Sequence, residues 1–279
     1  MANEKIDVKG LNVSFGKKNA VKNIDITFNS GETVLIAGRN GAGKSTFLRA
    51  LGGLIVPDSG KVNYGEINKD KIGIITDKMS LFESYSLKEA VNFHSEIFGI
   101  NKLNSNILDQ INIDMDRKVS ELSSGERALF QLSLLISQKP KLLLIDEVIY
   151  MMDSYIRDFF LEAVIELIDE VGTTIIMVNH TFSDTGKIPE RIIIMENGKI
   201  LIDESRDKLL QNVKKVITGK EELTDLPSIF SRETPLGNEY FLYPFKKGKT
   251  LNKDFIVEDI GLTEIIKAFL GGSYVKERD

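Results

Sequence analysis

Gly38-Arg39-Asn40-Gly41-Ala42-Gly43-Lys44-Ser45-Thr46 fits the pattern G-x-x-x-x-G-K-[ST], the signature of a loop that wraps phosphate. Its glycines let the backbone curl so that successive N–H groups point inward at anionic oxygens. The apolar run Thr33 to Ala37 predicts a strand entering the loop. Phe47, Leu48 and Leu51 predict a helix leaving it from about Lys44. That order sets the positive end of a helix dipole behind the bound anion. Lys44 is expected to reach the β- and γ-phosphates, and the Ser45 hydroxyl to ligate Mg²⁺. Gly38, Asn40, Gly41, Ala42, Gly43 and Thr46 complete the nucleotide-binding loop, and the side chains of Arg39 and Asn40 have no strong assignment.

On the N-terminal side, Ile6, Val8, Leu11, Val13 and Phe15, then Ile24, Ile26 and Phe28, predict an antiparallel strand pair with one buried face. On the C-terminal side, a strand at Ile72 to Ile75 ends near Asp77. A helical insertion follows, from about 77 to 119. Ser86 and Glu89 make a capping box for its first helix, which carries Val91, Phe93 and Ile97; a second helix is expected over Ile107 to Ile111. Strand signals return at Leu142 to Ile145, Thr173 to Val178 and Arg191 to Met195. Tyr155, Phe159, Ala163 and Leu167 mark a helix between the first two, and Asn197-Gly198 a hairpin turn after the third. Strands alternating with helices predict an α/β fold with a mainly parallel sheet covered on both faces.

The run Leu142-Leu143-Leu144-Ile145-Asp146-Glu147 is an apolar strand ending in two carboxylates. Beside a phosphate loop, Asp146 is placed to hold Mg²⁺ and Glu147 to orient an attacking water as general base.

Leu122-Ser123-Ser124-Gly125-Glu126, read alone, is an ordinary helix cap. Between the phosphate loop and the acidic strand end it resembles the L-S-G-G-Q signature of the ABC family of ATPases, with Ser and Glu at two of its positions. The likeness covers roughly residues 5 to 205. It implies an ABC-type P-loop NTPase fold over residues 1–208, whose cofactors are ATP and Mg²⁺. It also implies that Ser123 and Gly125 cap nucleotide held by a second ATPase subunit, in a homodimer or a heterodimer. On the same resemblance Phe15 stacks on adenine, His180 contacts the γ-phosphate, and Asp153 is the D-loop aspartate. Asp77 stands where the family has a Mg²⁺-contacting glutamine, and Tyr150-Met151-Met152 where it has small residues. Both departures bear on hydrolysis rate and keep a weakly catalytic, ATP-sensing subunit as the alternative. A non-transport ABC ATPase is the other alternative, but neither tandem cassettes nor a long coiled coil is present.

The bulk composition fits that reading. A net charge of -5 over 279 residues gives no general attraction to nucleic acid or anionic lipid. With no cysteine there is neither disulfide nor thiolate metal site, and a reducing compartment is permitted. No apolar run approaches the roughly 18 to 20 residues that cross a bilayer. The resemblance therefore implies a cytoplasmic chain, not itself inserted, held at the inner face of the cell membrane by a separate permease. Met79, Leu81, Phe82 and Tyr85 either form that contact or pack the insertion's own core, since an apolar groove and a small core look alike in sequence. Residues 209–279 are expected to form a small α+β accessory domain. It would have strands at Phe241 to Phe245 and Thr250 to Val257 around a Lys246-Lys247-Gly248 turn, then a helix from about Thr263 to Leu270. The tail from Ile256 to Gly272 resembles the C-terminal element of ABC-2-type exporters, which implies export.

Overall fold

A computed structural model describes residues 5–77, 82–100, 106–110, 112–179, 188–219, 223, 227–235, 237–245 and 255–271. Three sheets organise them. The first is antiparallel, in the order β2-β1-β4, from β1 (Lys5–Phe15), β2 (Lys18–Asn29) and β4 (Ser59–Asn63). The second is the six-stranded core, in the order β5-β6-β7-β3-β8-β9. It comprises β3 (Thr33–Gly38), β5 (Ile72–Ile75), β6 (Leu142–Asp146), β7 (Thr174–Val178), β8 (Arg191–Glu196) and β9 (Lys199–Ser205). Every pairing in it is parallel except β8 with β9, which Asn197-Gly198 joins with both residues at positive φ.

The central strands are buried on both faces. Leu35 and Ala37 of β3 and Leu143 and Ile145 of β6 point into one core, while Val34, Ile36, Leu142 and Leu144 point into a second. Such strands read as unbroken apolar runs, the pattern their sequences carry. Helix α1 (Lys44–Leu51) and the N-terminal sheet cover the second core. Helices α4 (Ser124–Gln138) and α5 (Ser154–Val171) cover the first. Along α5 the buried side chains are Phe160, Ala163, Val164 and Leu167, while Tyr155 faces solvent. The helix marked by Tyr155, Phe159, Ala163 and Leu167 forms, and because a strict four-residue step drifts around a 3.6-residue helix, Ala163 and Leu167 share the buried face and Tyr155 does not.

The insertion contains α2 (Leu87–Phe98) and α3 (Asn106–Gln110), with a core of its own at Leu87, Ala90, Leu108, Val119, Leu122, Phe130 and Leu134. Its capping box forms as expected, with Ser86 Oγ accepting from Glu89 N at 3.2 Å. The buried face of α2 is Leu87, Ala90 and His94, while Ile97 lies exposed.

After α6 (Arg206–Asn212) comes a third, antiparallel sheet in the order β11-β12-β10-β13, then α7 (Leu262–Phe269). Its strands are β10 (Lys214–Ile217), β11 (Ser228–Thr234), β12 (Gly237–Leu242) and β13 (Ile256–Asp259). The expected hairpin between the strands near 241 and 257 does not form, because β10 lies between β12 and β13 and pairs with both. The expected turn at 246–248 lies outside the described residues. Leu209, Val213, Phe241, Ile265 and Ile266 join the same core cluster as Leu35, Leu143 and Phe160.

Candidate functional site

The parallel strands end on one side of the sheet, and the phosphate loop sits there, at the carboxyl end of β3. Two glycines are fixed by close neighbours. A Cβ on Gly43, at φ 102°, would stand 2.1 Å from the Ala20 carbonyl oxygen, and one on Gly38 would stand 2.4 Å from that of Met195. The hairpin tip buttresses the loop as well. Gly198 N donates to Ala42 O at 2.9 Å, and Gly198 O accepts from Lys22 N at 2.8 Å. Asn197-Gly198 was legible as a turn but not as a support for the loop, because that role depends on packing across the sheet.

A cavity of about 300 Å³ opens at the loop, lined by Asn40, Gly41, Gly43, Lys44, Ser45, Thr46 and Glu147. Lys44 is buried. Its ammonium group donates to Gly38 O at 3.0 Å and Arg39 O at 3.3 Å, and pairs with Glu147 Oε1 at 3.3 Å. Glu147 itself has φ 50°, a left-handed conformation uncommon for a side-chain-bearing residue, and its N–H donates to Val178 O at 3.0 Å. Backbone strain of this kind collects at functional sites.

Asp146 is 4% exposed at the end of β6. Burial pushes its carboxyl above the usual aspartate range; the hydrogen bond from Ser45 and the Arg49 guanidinium oppose that rise, and Glu147 adds to it. Oδ2 meets Arg49 Nη2 at 3.1 Å, while Oδ1 is buried with no hydrogen-bond partner among the described residues. A buried, orphaned carboxylate oxygen beside a serine hydroxyl fits a hard divalent cation. Of the residues expected at a metal, Ser45 and Asp146 stand together here and offer such an ion two oxygen ligands.

The remaining candidates lie around this centre. Phe15 closes β1 and is 55% exposed, so it is not a core residue. It pairs with Lys18, whose ammonium nitrogen lies 3.8 Å from where a Gly41 Cβ would stand, so this hairpin end sits over the loop. Asp77 follows β5, and its backbone carbonyl accepts from Arg127 of α4 at 3.3 Å. Gln131, one turn further on, brackets Thr76 through both its N–H and its carbonyl. Partial burial, then the charges of Glu147 and Asp77, push the Tyr150 phenol up, which places these three side chains in one neighbourhood.

Ser123 caps α4. Its Oγ accepts from Glu126 N at 3.2 Å, and Glu126 Oε2 accepts from Ser123 N at 2.8 Å. Gly125 is buried against α5, where a Cβ would come within 3.0 Å of Ile156. Neither lines the cavity of its own chain. Asp153 caps α5 by accepting from Ile156 N at 3.0 Å. His180 lies outside the described residues. Arg39, without a strong assignment from sequence, donates from its guanidinium to Leu270 O, at 3.0 Å from Nε.

Known proteins share this arrangement. Residues 21–149 match the family model described as ABC transporter. The sulfate/thiosulfate import ATP-binding protein CysA of Thermosynechococcus vestitus is 28% identical over 70% of this chain, which spans 62% of that relative's length. The methionine import ATP-binding protein MetN of Bacillus subtilis is 27% identical over 91% of this chain and 80% of its own. Among solved structures, an ATP-binding subunit of an ABC transporter superposes with a TM-score of 0.66 at 20% identity, covering 73% of this chain and 91% of the other. A dimeric ATP-binding cassette in a post-hydrolysis state, bound to ADP and phosphate, gives 0.61 at 23% identity over 72% and 98%. The expected export direction is corrected by these relatives, since both curated proteins are named for import. The motif order, the strand–loop–helix geometry and the shared architecture agree: the chain has the ABC ATPase P-loop fold, and its residues 21–149 are similar to the ABC transporter family model.

Proposed function

We propose that this chain binds ATP with Mg²⁺ and hydrolyses it to drive transport through a separate membrane permease. The observation that supports this most is the convergence of Lys44, Ser45 and Glu147 on one cavity, with Asp146 hydrogen-bonded to Ser45 beside it. The loop N–H groups and Lys44 bind the phosphates, and Phe15 stacks on the adenine. Ser45 and Asp146 hold Mg²⁺, which when bound neutralises charge on the phosphate oxygens. Glu147, next to Lys44 and aimed into the cavity, orients the attacking water. His180 takes the γ-phosphate contact, and Asp77 a water-mediated place beside the metal.

Two such subunits, alike or different, close face to face so that Ser123 and Gly125 of one cover the phosphate held by the other. Closure draws on charge-assisted hydrogen bonds to the γ-phosphate and reverses when it leaves. No helix of the described residues is long and apolar enough to cross a membrane. The permease contact is assigned to the insertion, where Phe82, Tyr85 and Phe93 stack within 5.6 to 6.1 Å of each other and Tyr85 remains 38% exposed. Met79 and Leu81, expected in the same group, lie outside the described residues. The whole assembly belongs at the cytoplasmic face of the membrane.

A second reading, an ATP-sensing subunit with weak turnover, is favoured by one observation: Tyr150 and Asp77 share the neighbourhood of Glu147. Phosphate release from the chain co-purified with its permease separates the two. Turnover abolished by Glu147→Gln supports the ATPase. ATP binding with no turnover in the wild type supports the sensor, and no ATP binding overturns both.

A further inference from the structure

We infer that Arg39 is a positioning residue that couples the nucleotide site to helix α7, so that the C-terminal segment sets the shape of the phosphate loop. This rests on the reading of that loop as the ATP site.

The argument starts from the two ends of one residue. The Arg39 carbonyl faces the site, accepting from Lys44 Nζ at 3.3 Å and from Ala42 N at 3.0 Å. Its guanidinium faces the other way and donates from both Nε and Nη2 to the carbonyl of Leu270. Leu270 is the C-cap of α7, so the cation meets the negative end of a helix dipole as well as a carbonyl at the helix terminus. The next residue is shaped for the contact. Gly271 has φ 71°, and a Cβ there would stand 3.1 Å from Arg39 Nη2.

Helix α7 is not a loose appendage on which such a contact has no effect. Ile265, Ile266 and Leu270 are buried in the main core, so α7 provides a rigid anchor. A loop residue pinned at one end and bonded to the phosphate-binding lysine at the other is pre-organised for its ligand, which lowers the ordering cost of binding. Linkage makes the effect reciprocal: nucleotide at Lys44 must change the stability of the α7 contact by the same factor.

The test uses the full chain with MgATP in the Glu147→Gln background, and steady-state turnover in the otherwise wild-type background. Arg39→Ala is expected to weaken ATP binding roughly five- to tenfold, the lower range of site-to-site coupling, through KM rather than kcat. Hydrogen exchange across 262–271 is expected to slow on nucleotide addition in the parent and to stop responding in Arg39→Ala. Gly271→Ala approaches the same contact from the tail and is expected to lose the response without touching the loop. A purely structural Arg39 would lower the melting temperature and leave the nucleotide response of α7 intact. That result, or a parent that binds ATP with no response in α7, overturns the inference. A parent that binds no ATP overturns the proposed function instead.

Discussion

The Lys44 ammonium nitrogen lies 3.3 Å from Oε1 of Glu147, so the phosphate-binding cation and the proposed general base already share one cavity. Replacing the carboxylate by an amide of the same size keeps the shape and removes the charge. Glu147→Gln is expected to bind MgATP as tightly as the parent and to lose about 10²- to 10⁴-fold in phosphate release, the usual contribution of a general base. Single-turnover release of phosphate checks this, and turnover at the parental rate would remove Glu147 from the mechanism.

Phe15 gives a cleaner separation of binding from folding. It is 55% exposed, so truncation removes little core packing. Phe15→Ala is expected to change stability by less than about 0.5 kcal/mol. Base stacking on an aromatic ring is worth about 1–3 kcal/mol, so ATP affinity should fall about fivefold or more while phosphate affinity is unchanged. Calorimetric titration with ATP and with inorganic phosphate distinguishes the two.

Gly43 tests the backbone rather than a side chain. At φ 102°, with the Ala20 carbonyl oxygen 2.1 Å from the Cβ position, Gly43→Ala must strain the loop or push β2 away. A destabilisation of about 1–3 kcal/mol is expected, read by urea unfolding, together with loss of nucleotide binding. Gly99, at φ 62° with nothing within 4 Å of its Cβ position, is the control for left-handed strain without a clash.

The insertion carries a pH dependence at His94. Its Nε2 is buried without a partner among the described residues, its ring packs 4.6 Å from that of Phe98, and the Leu134 backbone takes its remaining hydrogen bond. Burial pushes its pKa below the ordinary 6.5, the Leu134 bond acting in the opposite sense. The unfolded chain therefore takes up the proton first. The stability this group contributes is complete above about pH 6.5 and declines as pH falls toward the lowered folded value. The unfolding midpoint should drop from about pH 7.5 to about pH 5.5, and His94→Leu should flatten part of that slope. An unchanged slope in the variant would assign the dependence to other groups.

The legible parts of this chain are those whose signal is local. The phosphate loop, the apolar strands β3, β6 and β7, and the capping boxes at Ser86 and Ser123 each depend on neighbours within a few residues. The C-terminal sheet was misread because β10, Lys-Lys-Val-Ile, shows no strand alternation that stands out from its surroundings. Lys214 is 9% exposed only because its ammonium reaches Asp259 at 2.8 Å and Leu210 O at 2.9 Å. Arg39 was invisible for another reason. Its partner is a main-chain carbonyl 231 residues away, and a backbone acceptor leaves no trace in side-chain pattern.

Ser123 shows how two readings of one residue can both hold. Its hydroxyl closes the capping box of α4, as an ordinary cap does. An N-terminal turn held that firmly is compatible with the proposed role of covering a phosphate held by another subunit.

The shared core of the last helix with the central sheet has a bearing on synthesis. Ile265 and Ile266 belong to the same core cluster as Phe160 and Leu143, and they leave the ribosome more than a hundred residues after Phe160. The nascent chain carries that cluster incomplete until α7 emerges, a period in which chaperones find it easiest to hold.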